Sequence, residues 1–212
     1  MDGEKSSVIK PRFVLASASP RRLDLLAQLG LVPDAVDPAE IDEAPGKDEL
    51  PAAYAARMAA EKARTVAARH PDAVVLAADT VVAVGRRILP KAEDPMTARG
   101  CLKLLSGRRH RVFGGVTIIR PESRSDGPAD GNDGGGRDHN RLVQTTVSFK
   151  RLEEQEIDRY IDAGEWHGKA GGYAIQGRAE GLIRFISGSY SNVVGLPLFE
   201  VRQVLRPLGL VD

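Results

Sequence analysis

A chain of 212 residues, 42% of them hydrophobic, has enough apolar material for a real core and fits one domain, or one core split into lobes. Thirty basic residues stand against 29 acidic ones, which excludes a global field able to hold duplex DNA or an acidic membrane surface and makes any anion site local. One cysteine, Cys101, excludes an internal disulfide, and no apolar run reaches the roughly 20 residues that span a bilayer.

In chain order, the start from Met1 to Lys10 is mixed and charged rather than signal-like, so residues 1–10 are expected to be a flexible N-terminus of a cytoplasmic protein. Arg12 to Ala16 reads as a short apolar strand that runs into Ser17-Ala18-Ser19-Pro20-Arg21-Arg22. Ser19 suits an N-cap, Pro20 suits the first helical position, Leu23, Leu26 and Leu29 follow at helical spacing, and Gly30 is a C-terminal stop. Arg21 and Arg22 then sit in the first turn, against the positive end of the helix dipole. Two readings stand: solvated arginines beside an ordinary cap, or a phosphate cradle in which the hydroxyls of Ser17 and Ser19 add donors.

A helix is predicted over Leu50 to Arg69, with Tyr54, Met58, Lys62 and Val66 on one face. Lys62 interrupts that stripe, either snorkelling outward or aiming its charge at a polar site. The run from Val74 to Val84 reads as a long strand with one acid, Asp79, in its middle. An unpaired buried carboxylate is costly, so Asp79 must meet a metal, a cation or several donors, or mark a strand bulge. Gly85-Arg86-Arg87 turns the chain into Ile88-Leu89, which returns Pro90-Lys91 toward the end where Asp79 lies.

Asp94-Pro95 opens a further helix whose face is Ala98, Cys101, Leu102 and Leu105. Arg111 to Arg120 and Arg141 to Lys150 read as strands flanking a polar, glycine-rich stretch, which predicts a flexible loop over 121–140 inside one domain spanning 11–212. His70, His110, His139 and His167 show no metal-ligand spacing. Lys169 to Gly177 is glycine-rich and contains an amide, Gln176, but Lys169 precedes the glycines, so it is not a P-loop. The order of elements indicates an α/β fold whose sheet is mixed and partly antiparallel, with flanking helices.

Taken together, Leu15-Ala16-Ser17-Ala18-Ser19-Pro20-Arg21-Arg22, Glu61-Lys62-Ala63, Ala78-Asp79-Thr80-Val81-Val82, Ile88-Leu89-Pro90-Lys91, Leu105-Ser106-Gly107 with His110, Lys169-Ala170-Gly171 with Tyr173 and Gln176, and Asn192-Val193-Val194-Gly195-Leu196-Pro197 resemble the Maf family of nucleoside triphosphate pyrophosphatases. The resemblance covers nearly the whole chain. It implies the Maf and inosine-triphosphatase-like sheet, with two lobes around a cleft. It also implies hydrolysis of a nucleoside triphosphate to the monophosphate and pyrophosphate, aided by a divalent cation such as magnesium, manganese or cobalt.

By the same resemblance Asp79 is the catalytic acid group that activates water, and Ser17, Arg21, Arg22, Lys62 and Lys91 line the phosphate site. Asp42, in Glu40-Ile41-Asp42-Glu43, falls at the acidic position and joins Asp79 as a metal ligand. Arg21, Thr80 and Gln176 stand at the specificity positions in the combination of the subgroup acting on dTTP and UTP. The 7-methyl-GTP subgroup and a non-enzymatic nucleotide-binding regulator of septum formation are the alternatives. The resemblance also implies a homodimer, and neither a stable nucleic-acid complex nor a membrane partner is expected. The chain departs from the family pattern at Ala92, where proline is usual, at Phe113-Gly114-Gly115, which replaces a threonine-containing segment, and at Ser189, where aspartate is common.

Overall fold

The computed structural model describes residues 10–121 and 138–212. In chain order the strands are β1 (Phe13–Leu15), β2 (Ala35–Val36), β3 (Val74–Val84), β4 (Arg87–Ile88), β5 (Lys91–Ala92), β6 (Arg109–Ile119), β7 (Asp138–Phe149), β8 (Lys169–Ala170) and β9 (Ile183–Ser187). The helices are α1 (Pro20–Gln28), α2 (Pro51–Ala67), α3 (Pro95–Leu105), α4 (Glu154–Asp162), α5 (Tyr190–Val194) and α6 (Leu198–Leu205). Seven strands form one mixed sheet in the order β2-β1-β3-β6-β7-β9, with β4 also on β3, and β5 pairs β8 in a separate two-stranded ribbon. The mixed α/β expectation holds: β1 runs parallel to β2 and β3, while β6, β7 and β9 continue antiparallel.

The period of two along β3 sorts its side chains. Val74, Leu76 and Ala78 face one side with Leu25 and Leu26 of α1 and Val201 and Leu205 of α6. Val75 and Ala77 join Ala63 and Val66 of α2 on the opposite side, and Val81 and Ala83 join Tyr54, Ala55 and Met58 of the same helix. Leu89, Leu102, Leu105, Phe149, Tyr160 and Trp166 gather α3 and α4 around the far end of the sheet. Asp79 therefore belongs to the α2 face and Thr80 to the α1 face, a division that decides which partners each can reach.

One edge of β3 is continuously paired with β6 from Val75 to Ala83. The other edge is shared: β1 covers Val74 to Leu76 and β4 covers Ala83 and Val84. Between them β3 has no strand partner on that edge among the described residues, and this interruption leaves room for a cleft beside Asp79 and Thr80. The carboxyl end of β1 opens into the same gap, the usual place for a ligand in an open α/β sheet.

Local chemistry explains the helix ends. Pro20 begins α1 and Ser19 occupies the N-cap, yet its hydroxyl makes no capping bond. The backbone N–H of Ser19 instead donates to Ser17 Oγ at 3.3 Å. A cap contributes about 1 kcal/mol, whereas each fully buried Leu contributes roughly 1.5–3 kcal/mol, so Leu25 and Leu26 hold α1 in place without it. At its other end Gly30 takes a left-handed φ of 68° and the N–H of Leu31 donates to the Leu26 carbonyl. The α3 cap is formed as expected, with Asp94 Oδ1 accepting from Thr97 N at 2.8 Å.

Two sequence departures acquire reasons here. A β-carbon on Gly115 would lie 2.1 Å from the Ala55 carbonyl oxygen, and one on Gly114 would lie 1.9 Å from Asn192 Oδ1. The glycines thus let α2 and the buried side chain of Asn192 approach the sheet closely. Ser189 caps α5, its Oγ accepting from Asn192 N at 3.2 Å, the same bond an aspartate would accept there.

The predicted loop is shorter than 121–140 at its C-terminal end. Asp138, His139 and Asn140 extend β7, pairing with Ile119, Ile118 and Thr117 of β6, because ladder bonds satisfy the backbone whatever the polarity of the side chains. The rest of that loop, residues 122–137, and the predicted N-terminal segment up to residue 9 lie outside the described residues. Among the described residues no helix is long and apolar enough to cross a membrane.

Candidate active site

The gap along β3 opens into a cleft of about 420 Å³. Ser17, Arg21, Arg22, Lys62, Asp79, Thr80, Lys91 and Gln176, all singled out in the sequence, line it. They arrive on separate elements and build two different walls.

On the α2 side, Lys62 stands at the position where the apolar stripe is broken, and its side chain is buried. It does not snorkel outward. Its Nζ donates to Asp79 Oδ1 at 2.7 Å and contacts Glu43 Oε1 at 2.8 Å. Lys91 Nζ donates to Glu43 Oε2 at 2.8 Å, so the turn after β4 does return Lys91 to the neighbourhood of Asp79, with Glu43 and Lys62 between them. Burial works against the charge of Glu43, but hydrogen bonds from Lys62 and Lys91, with their positive charge, outweigh it and hold its carboxyl down at about 2.

Glu43 is the acidic residue that reaches this wall, and Asp42 is not. Asp42 is exposed, and its Oδ1 accepts from the Ala44 backbone N–H at 2.9 Å. The segment is extended, and its side chains alternate: Ala35, Ala39 and Ile41 pack inward, in phase with Glu43 and out of phase with Asp42. That alternation was the signal available in the sequence. Tyr54 fixes the turn by donating its hydroxyl to the Glu43 carbonyl at 2.6 Å.

On the α1 side, Arg22 is the organiser. Its guanidinium donates to Ser17 Oγ at 2.7 Å, to the Gly195 carbonyl at 3.0 Å and to Thr80 Oγ1 at 3.4 Å, joining α1, β3 and the end of α5. Burial lowers its pKa, the carboxylate of Asp79 opposes that, and Arg21 lowers it further. Arg21 borders the cleft and is lowered by burial alone. Among the described residues neither arginine forms an ion pair.

The β5–β8 ribbon closes one end of the cleft. Gly171 and Gly172 both take left-handed φ values, 69° and 67°, and Gly171 N donates to the Pro90 carbonyl. The glycine-rich stretch is therefore a tight turn that sets Lys169 and Tyr173 into the cleft lining, and Gln176 lies at an exposed position of it. Lys169, whose pKa is lowered by burial and by Arg21, was not among the residues expected there. His110 is buried behind this wall with Nε2 2.8 Å from the Tyr173 hydroxyl, and burial pushes its pKa down to about 4.

In all, five cationic side chains and three carboxylates line the cleft, a balance suited to a polyanion. Among the described residues no three His, Cys, Asp or Glu side chains gather into a cation cage. Glu43 and Asp79 nevertheless both lie against Lys62 Nζ, and one or two carboxylates are what a magnesium-type cation takes from a protein when phosphates supply the rest. The pair fits a cation that shares its shell with a nucleotide.

A sequence model of the family described as Maf-like protein matches residues 12–208. The chain belongs to the Maf family. Curated relatives agree over almost the full length. The chain is 59% identical over 197 residues to the dTTP/UTP pyrophosphatase of Rhodospirillum rubrum, covering 93% of this chain and 88% of that protein. It is 59% identical to the dTTP/UTP pyrophosphatase of Paramagnetospirillum magneticum, covering 93% and 97%. It is 58% identical over 199 residues to that of Caulobacter vibrioides, covering 94% and 96%. In this Maf protein the three positions expected from the sequence to set specificity fall at different depths of one cleft: Thr80 is half-buried beside Arg22, Arg21 is on the wall, and Gln176 is exposed.

Proposed function

We propose that this chain is a nucleoside triphosphate pyrophosphatase that hydrolyses dTTP and UTP to the monophosphate and pyrophosphate. One observation carries the reading: the Asp79 carboxylate, held at 2.7 Å by a buried lysine, shares a cleft with two arginines that have no acidic partner among the described residues. Membership of the Maf family and the activity named for its relatives support it.

Water attacks the α-phosphorus in line with the bridging oxygen to the β-phosphate, that P–O bond breaks, and pyrophosphate leaves. Asp79 takes the proton from the attacking water. Lys62 fixes the carboxylate through Oδ1, so Oδ2 remains to orient the water. Arg21, Arg22 and Lys91 hold the triphosphate and the negative charge that builds on the leaving group. Glu43 and Asp79 are the residues that would hold a divalent cation, which would neutralise charge on the phosphate oxygens. Asp42 has no part in this arrangement.

At the rim, the amide of Gln176 can donate to a pyrimidine O4 and accept from the N3–H, a pair that both thymine and uracil offer. The reading extends to two lobes that flank the cleft and to a cytoplasmic homodimer, whose stoichiometry sedimentation at assay concentration would measure. The deciding experiment is product analysis with dTTP, UTP, dCTP, GTP and 7-methyl-GTP, each with magnesium, manganese or cobalt. Pyrophosphate from dTTP and UTP is expected, with the preference weakened by Gln176→Ala. Orthophosphate as the product, or activity confined to 7-methyl-GTP, would sink the reading.

A further inference from the structure

A second cavity, of about 490 Å³, lies between α3 and the segment that leads into β5. Its volume is within the range of small-ligand sites, and its exposed lining is mostly apolar. Thr97, Gly100, Cys101 and Leu104 lie three and four residues apart and so present one face of α3 to it, next to the face that packs into the core. Leu89 and Pro90 form the facing wall.

Charge at this groove has one sign. Arg87, Lys103 and Arg108 line it, and among the described residues no carboxylate does. Lys103 is paired with Glu154 at 2.9 Å, whereas Arg87 and Arg108 form no ion pair with a described residue. Two guanidiniums without an ion pair among the described residues, set over an apolar floor, match a small molecule with an anionic head and an apolar body.

Gly100, an exposed position on the same side of α3, leaves the groove uncovered there. A glycine inside a helix costs about 1 kcal/mol relative to alanine, and here the fold does not require it. Apart from the backbone of its own helix and its chain neighbours, no atom of the described residues lies within 4 Å of where its β-carbon would be. What its missing side chain does provide is open space along the groove-facing side of α3.

The groove is not a branch of the catalytic cleft, because the two share no lining residue. They back onto the same segment: Pro90 lines the groove and its neighbour Lys91 lines the cleft. We propose that this groove is a separate binding site for a small amphipathic organic anion, with Arg87 and Arg108 taking the sulfonate, phosphate or carboxylate head and the α3 face taking the apolar body.

The test uses the full-length protein and the fluorescent probe anilinonaphthalene sulfonate, with anilinonaphthalene, the same rings without the acid, as its neutral counterpart. Gly100→Leu fills the groove, and Arg87→Glu with Arg108→Glu reverses its charge, so the two variants test shape and charge separately. Each is expected to weaken sulfonate binding by at least about tenfold, the neutral probe should bind wild type at least about tenfold more weakly than the sulfonate, and Arg21→Ala should leave sulfonate binding unchanged. Gly100→Leu is also expected to keep wild-type pyrophosphate release. Loss of probe binding in Arg21→Ala alone would place the probe in the catalytic cleft and overturn the proposal. Equal binding of both probes, unchanged binding in both groove variants, or no binding by wild type would overturn it as well.

Discussion

The two walls of the cleft treat charge in opposite ways. On the α2 wall, Lys62, Glu43, Asp79 and Lys91 alternate in sign, and each has an oppositely charged partner within 2.8 Å. On the α1 wall, among the described residues, Arg22 hydrogen-bonds to neutral oxygens alone, those of Ser17, Thr80 and Gly195, and Arg21 has no ion pair. A self-neutralised wall keeps its geometry whether or not a ligand is present, which suits a group that must position water. A wall of cations facing neutral acceptors carries positive charge that only an anion can compensate, which suits substrate holding. The difference teaches that proximity in one cleft does not mean a common role.

The comparison breaks most visibly at Asp79. Asp79→Asn keeps the shape and the oxygen that Lys62 holds but removes the proton acceptor. Turnover should fall by about 10²–10⁴-fold, while nucleotide binding measured by calorimetry stays close to wild type. Retained turnover would mean that the α2 wall is structural. Lys62→Met tests the neutralisation itself, because methionine continues the apolar stripe but leaves Asp79 without its ammonium partner and Glu43 with Lys91 alone. Breaking a buried pair costs about 3–5 kcal/mol, reduced here because Glu43 is partly exposed, and urea unfolding would measure it. Adding Asp79→Asn to that variant should recover part of the loss. No recovery would show that packing, rather than charge, explains the cost.

Acid offers a gentler way to separate the walls. Glu43 titrates at about 2 in the folded protein against an ordinary value of 4.5, so its pKa is depressed by folding. Its contribution is fully present above about pH 4.5 and is lost as pH falls toward 2, since below that range both states are protonated. Thermal unfolding of Glu43→Gln and wild type should therefore differ most above pH 4.5 and converge on acidification. A constant difference across that window would mean that the lysines do not hold the carboxyl down. The arginines do not titrate there, so the α1 wall gives no matching acid limb.

How much of this was legible depended on whether a residue breaks a local pattern. Asp79 stands alone in an apolar strand and Lys62 alone in an apolar stripe, and each anomaly marks a side chain that packing brings to the other. The helix α3 could be read from its cap and face, and β6 and β7 from their apolar runs. The family resemblance places the acidic position at Asp42, whereas the weak alternation through Ala39 and Ile41 points to Glu43. The bond from Arg22 to Gly195 joins positions 173 apart in sequence, and no local rule predicts it. Residues 138–140 read as loop from their polarity, although backbone pairing decides a strand end and puts them in β7.

The smallest stability effect makes the sharpest distinction. Arg21 sits in the first turn of α1, where the helix dipole disfavours a cation, and no acidic residue in that turn compensates it. Arg21→Ala should therefore raise unfolding stability by about 0.3–1 kcal/mol in low salt. The same change removes a charged hydrogen-bonding group from the substrate, a loss of about 1.5–3 kcal/mol that corresponds to roughly 10–100-fold in kcat/KM. Stability and activity thus move in opposite directions on the α1 wall, whereas Lys62→Met lowers both on the α2 wall. If Arg21→Ala were destabilising, the arginine would be holding the fold together, and the assignment of Arg21 to substrate alone would fail.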